Sequence, residues 1–111
     1  MSISRRTLMI GLAFACSAPA LAQSDYPDRP IKLLVPYSAG GGTDAIARLV
    51  AQGVGERLGK TMVVENNGTA GGNVAVAQAA GAPTDGYTVL MANQGPMTVN
   101  PHLFKSVKVD P

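Results

Sequence analysis

The residues best placed to do chemistry form one uninterrupted stretch, Pro36-Tyr37-Ser38-Ala39-Gly40-Gly41-Gly42-Thr43-Asp44-Ala45. Three adjacent glycines let the main chain adopt positive φ and approach a ligand with no Cβ in the way. Where such a turn opens a helix, the first N–H groups have no acceptor inside the helix and point outward. The chemistry this suits is the holding of an anion. A helix start favours a negative group by ~0.3–1 kcal/mol when exposed and by up to ~2 when partly buried.

Catalytic constellations are missing. His102 is the only histidine, which excludes a local multi-histidine metal site, and it reads as a surface or hinge-side residue. Ser38 lies in the right kind of turn for a nucleophile, but the G-x-S-x-G elbow is absent and no second histidine can serve as base. Asn67-Gly68-Thr69 fits a glycosylation acceptor and is read as a turn, because the leader is of bacterial type. The strongest rival is a dinucleotide-binding oxidoreductase: Gly40-Gly41-Gly42-Thr43-Asp44-Ala45 satisfies G-x-G-x-x-A, and Glu65 ends the next apolar run where a ribose-binding acid belongs. Against it, Asp44 puts a carboxylate in the turn that must receive a pyrophosphate, and consecutive glycines meet the pattern partly by repetition. An exported chain also rarely meets NAD. The site is therefore read with no catalytic residue, no cofactor and no metal.

The elements that position this turn follow from periodicity. Ile31-Lys32-Leu33-Leu34-Val35 reads as a strand buried on both faces. From Asp44, Ile46, Leu49, Val50, Val54 and Leu58 fall on one side of a helix, with Thr43 as its N-cap and Gly59 as its stop. Thr61 to Glu65 is a second strand, Asn66 to Asn73 a second glycine-rich turn, and a short helix runs from about Asn73 to Ala80. Pro83 and Asp85-Gly86 punctuate before a third strand, Tyr87 to Ala92, and the turn Asn93-Gln94-Gly95-Pro96. This βαβαβ order predicts a parallel α/β sheet with right-handed crossovers, spatial order two-one-three, and all three turns at the carboxyl edge where such folds bind ligands. Three strands leave an unpaired edge and half-covered helix faces. The expectation is the front part of a longer protein rather than a complete small domain.

The first 22 residues read as a signal peptide. Ser4-Arg5-Arg6-Thr7 leads into the apolar run Leu8 to Ala15, and Ala20-Leu21-Ala22 is an A-x-A cleavage site, which places the cut after Ala22. The paired arginines resemble a twin-arginine signal, but Leu8 stands where that motif prefers phenylalanine, so the ordinary Sec route stays open. The run is too short for a spanning helix. Cys16 lacks a leucine three residues before it, as a lipid-modified cysteine would need, and it is the only cysteine, so residues 23–111 form no disulfide. Loss of Arg5 and Arg6 leaves seven basic against seven acidic residues (9 − 2 against 7). With no basic run and only 5% aromatic residues, nucleic-acid binding has no support.

The succession YPDRPIKLLVPYSAGGGTDAIAR, VVENNGTAGGNVA, DGYTVLMAN and NPHLF resembles the amino-terminal region of the Bug family, the extracytoplasmic receptors of tripartite tricarboxylate transporters. The likeness covers Tyr26 to Pro111, and four motifs in order are far more specific than one glycine loop. It implies part of the first domain of a two-domain, type II periplasmic-binding-protein fold that closes on a small carboxylate without catalysis. Di- or tricarboxylates, acidic amino acids and aromatic acids are the implied ligands, and membrane transporter subunits the implied partners. The implied ligand-binding residues are Tyr37, Ser38, Ala39, Gly40, Gly41, Gly42, Thr43 and Asp44 from the first turn, Gly71, Gly72 and Asn73 from the second, and Asn93 and Gln94 from the third. Tyr37 would wall the cleft, and main-chain N–H groups with the Thr43 hydroxyl would hold a carboxylate. Asp44 would cap its own helix or accept from bound water or a ligand ammonium.

Overall fold

The computed structural model describes residues 25–105. The leader expectations, including Arg5, Arg6, Cys16 and the cut after Ala22, lie outside the described residues. In order come β1 (Ile31–Val35), α1 (Gly42–Leu58), β2 (Met62–Asn66), a 3-10 turn (Thr69–Gly72), α2 (Asn73–Ala80) and β3 (Thr88–Leu90). A π-helical segment, Gly95–Val99, then runs into α3 (Asn100–Leu103).

All pairings are parallel and the order is β2-β1-β3, the two-one-three arrangement expected of the βαβαβ pattern. Leu33 sits opposite Val64 on one side and Val89 on the other. Because the chain steps from β1 outward to β2 and then back across to β3, right-handed crossovers put α1 and α2 on opposite faces. Strand alternation sends Leu33 and Val35 to the α1 face, where they cluster with Ala47 and Ala51. Leu34, fully buried, faces the other way, and α2 packs on β1 and β3 with Ala75 and Val76 buried. Burial on both faces is why β1 is apolar but for Lys32, which is half-buried and paired with Glu65, each leucine contributing ~1.5–3 kcal/mol.

The contact face of α1 differs from the expected one. Ile46, Leu49, Val50 and Leu58 are exposed, Leu49 by 70%, and Val54 is half-buried, while Asp44, Ala47 and Ala51 are buried. Residues 44, 47 and 51 share a side at spacings of three and four, and the small alanines let the helix axis approach β1 closely. The bulkier apolar stripe is turned away from the sheet. Gly59 ends the helix as expected, at φ 66°, with its N–H on the Gly55 carbonyl. The N-cap is Gly41 rather than Thr43, and no side chain caps it.

At the amino edge of the sheet, Tyr26 to Arg29 is clasped to the residues leading into β3. The Tyr26 hydroxyl donates to the Gly86 carbonyl at 2.6 Å, the Tyr87 hydroxyl to Asp28 at 2.6 Å, and the Arg29 guanidinium lies 4.1 Å from the Tyr87 ring centroid.

Candidate functional site

β1 ends in buried Pro36, and the chain turns through Gly40 at φ 88° before Gly41 returns to extended backbone at φ −84° and ψ 174°. Of the three glycines only Gly40 uses the positive φ that the run allows. At Gly40 and Gly42 a Cβ would meet nothing within 4 Å, and at Gly41 only the Ser38 carbonyl at 3.8 Å. Their shared property is an open face. The first helical main-chain bond runs from the Ala45 N–H to the Gly41 carbonyl, so the N–H groups of Gly42, Thr43 and Asp44 precede the ladder.

Asp44 fixes this turn from behind. Its Oδ2 accepts from the Gly40 N–H at 2.9 Å and from Arg48 Nε at 3.1 Å, and its Oδ1 accepts from Asn66 Nδ2 at 3.0 Å. Asn66 Nδ2 also donates to the Tyr37 carbonyl at 3.2 Å, tying the end of β2 to the first turn. These donors, the Gly40 N–H first, then Arg48 and Asn66, hold the Asp44 carboxyl below the usual carboxylate range. With only 5% exposure, Asp44 braces the residue before its helix instead of capping the helix. Both oxygens are engaged within the chain.

The second and third turns are drawn against the first. Ala70, Gly71 and Gly72 all have positive φ, and a Cβ on Gly72 would stand 2.7 Å from the Pro36 Cβ and carbonyl oxygen. Buried Asn100 donates through Nδ2 to the Gly71 carbonyl at 3.0 Å and to Asn73 Oδ1 at 2.8 Å. The Tyr37 hydroxyl donates to Asn93 Oδ1, which also accepts the Gly95 N–H at 3.0 Å. The strand pattern continues past the strands through Asn67 N–H to the Val35 carbonyl and Met91 N–H to the Leu34 carbonyl.

Of the expected residues, then, Tyr37 and Asn93 touch, Gly72 meets Pro36, and Ser38, Ala39, Gly40, Gly41, Gly42, Gly71, Asn93 and Gln94 are exposed along one edge. Thr43 and Asn73 are half-buried. Asn66, Asn67, Gly68 and Asn100 are not among the expected residues. The first three stand in the quoted second turn, where Asn66 and Asn67 could have been found as polar groups at a strand end; Gly68 matters for its close approach, since a Cβ there would stand 3.1 Å from the Ser38 nitrogen. Asn100 bonds residues 27 and 29 positions away, which no local pattern reveals. A cavity of about 560 Å³ opens elsewhere, between α1 and β2, beside Ala51, Gly55, Lys60, Met62 and Val64. It lacks the glycine turn's convergent N–H groups. Among the described residues no group of three His, Cys, Asp or Glu could hold a metal ion.

The profile of the tripartite tricarboxylate transporter family receptor, TctC, matches residues 46–111. This chain belongs to that family. It is the family of receptors that the four sequence motifs resemble. A UPF0065 protein of Bordetella pertussis is 43% identical over 107 residues, covering 96% of this chain and 32% of its own length. A solved structure described as a periplasmic transporter superposes with a TM-score of 0.74 at 47% identity, covering 78% of this chain and 29% of that one. MatC from Rhodopseudomonas palustris, solved with bound malate, gives 0.72 at 32% identity, covering 76% and 29%. The chain thus spans about a third of the length of the family members it matches.

Proposed function

We propose that the full-length protein is a periplasmic receptor that captures a small organic carboxylate and delivers it to the membrane subunits of a tripartite tricarboxylate transporter. The observation that carries this reading is the set of N–H groups of Gly42, Thr43 and Asp44, at the start of a 17-residue helix and at the edge where all three parallel strands end. A preorganised row of N–H donors with the helix dipole behind it suits a carboxylate, and no bond need be made or broken there. The malate in the related MatC is of the same chemical class. In this reading residues 37–44 supply the first wall, with Gly71, Gly72, Asn73, Asn93 and Gln94 beside it, and residues 1–22 are a leader removed on export.

The dinucleotide reading fares worse on geometry. Its would-be ribose acid, Glu65, is paired with Lys32 at 2.8 Å and accepts from Gln78 at 3.2 Å, and Asp44 holds negative charge inside the turn. Calorimetric titration of the full-length receptor separates the two: malate or another organic acid should release heat, and NAD and NADP should not. Tight NAD binding without any carboxylate response would reverse the assignment.

A further inference from the structure

Three asparagines at the carboxyl edge share a property that follows from how their amides are held. Asn67 Oδ1 accepts the Thr69 N–H at 3.1 Å, and Asn93 Oδ1 accepts the Gly95 N–H at 3.0 Å. A main-chain N–H can only donate, so each of these side chains must present its carbonyl oxygen to the protein. Asn73 is fixed one step removed. Asn100 Nδ2 donates to the Gly71 carbonyl at 3.0 Å, which can only accept, and the same Nδ2 donates to Asn73 Oδ1 at 2.8 Å. All three carbonyl oxygens are thereby engaged by the fold, and all three NH₂ groups remain, with no acceptor among the described residues.

The carboxylates at this edge, and two of its main-chain carbonyls, are engaged in the complementary way. Asp44 has both oxygens bonded and is 5% exposed, Glu65 is tied to Lys32 and Gln78, and the carbonyls of Tyr37 and Gly71 each accept an asparagine amide. The hydroxyls of Ser38 and Thr43 and the amide of Gln94 can serve in either sense. The side-chain balance of the edge is therefore the same as that of the helix start: donors offered, charged acceptors withdrawn.

We infer that Asn67, Asn73 and Asn93 determine specificity by presenting only donors, so that this half of the cleft selects carboxylates lacking an ammonium group over the corresponding amino acids. An ammonium group brought to this edge would lose water and find no charged acceptor, which is the costly case of an unpaired desolvated charge. A second carboxylate, a hydroxyl or a keto oxygen would instead meet N–H groups. The inference rests on the carboxylate-receptor reading and narrows its ligand class.

The test is titration calorimetry of the full-length receptor with matched pairs: succinate against L-aspartate, glutarate against L-glutamate, and 3-phenylpropionate against L-phenylalanine. For whichever skeleton binds, the acid without the ammonium should bind at least tenfold more tightly. Asn93→Asp keeps one oxygen for Gly95 and Tyr37 and turns the NH₂ into an acceptor, so it should weaken that acid at least tenfold and shrink or reverse the preference. Asn67→Asp should shift the ratio in the same direction. An amino acid bound as tightly as its partner by the unaltered receptor, or a ratio untouched by both substitutions, overturns the inference while leaving carboxylate capture standing. Binding of no acid in any pair removes capture itself, and the inference with it.

Discussion

Gly72 is packed so closely on Pro36 that a methyl group has no room between them: its Cβ would lie 2.7 Å from both the Pro36 Cβ and the Pro36 carbonyl oxygen. The two glycine-bearing turns are thus held together by the lack of a side chain. Gly72→Ala adds this clash to a φ of 89°, so it should destabilise the full-length protein by about 1–3 kcal/mol. Urea unfolding would measure it. Gly71→Ala is the control, at φ 67° but with its nearest neighbour 3.5 Å away, and should cost less.

Gly41→Val tests the open face. The backbone there is extended and nothing but the Ser38 carbonyl comes within 4 Å, so the fold should persist, as circular dichroism can verify. Carboxylate affinity should fall by at least about 1.4 kcal/mol, tenfold, because the side chain stands where the ligand would. Ser38→Ala should cost no more than the ~0.5–1.5 kcal/mol of one hydrogen bond. Unchanged affinity in Gly41→Val would move the site to another part of the cleft.

Acid should loosen the first turn. The Asp44 carboxyl titrates below its ordinary 3.8, so its stabilising contribution is present above that value and is lost as pH falls through the lower, folded-state value. Glu65, lowered chiefly by Lys32, acts in the same direction. Stability should be level above about pH 5 and decline below about pH 4. Asp44→Asn should flatten part of that decline and, by leaving one oxygen in place of two for Gly40, Arg48 and Asn66, loosen the brace and weaken carboxylate binding at neutral pH. A decline of the same steepness in Asp44→Asn would show that other carboxylates govern it.

Export predicts a new amino terminus. Mass spectrometry of protein recovered from the periplasm should find a chain beginning at Gln23, whereas an intact Met1 on envelope protein would contradict the proposed leader.

How far the sequence could be read depended on whether the physics was local. β1 was legible to the residue, because four of its five residues are apolar and buried and only Lys32, half-buried and paired with Glu65, breaks the run, and α2 began and ended at the expected residues. The strand order is the two-one-three expected of an open, doubly wound sheet. The buried face of α1 was misread because Ile46, Leu49 and Val50 carry more apolar weight than Ala47 and Ala51, although the alanines are what allow close packing on β1. In the site, the first turn was visible from its glycines. The brace of Asp44 on Gly40 was not, because a carboxylate four residues on can equally face ligand or backbone, and Asn100 reaches its partners only through the tertiary fold.

The aromatic clasp of Tyr26, Asp28 and Arg29 on Tyr87 has a practical bearing on how the receptor is handled. It anchors the start of the described chain at the amino edge of the sheet, while the glycine turn lies at the other end of β1, five residues or roughly 16 Å away at ~3.3 Å per residue. An affinity tag or surface tether joined ahead of Asp25 therefore leaves from the side facing away from the turn. Immobilisation by that end should present the candidate cleft to solution, whereas coupling through the apolar side of α1 at Leu49 would place the support only about two helical turns from Thr43.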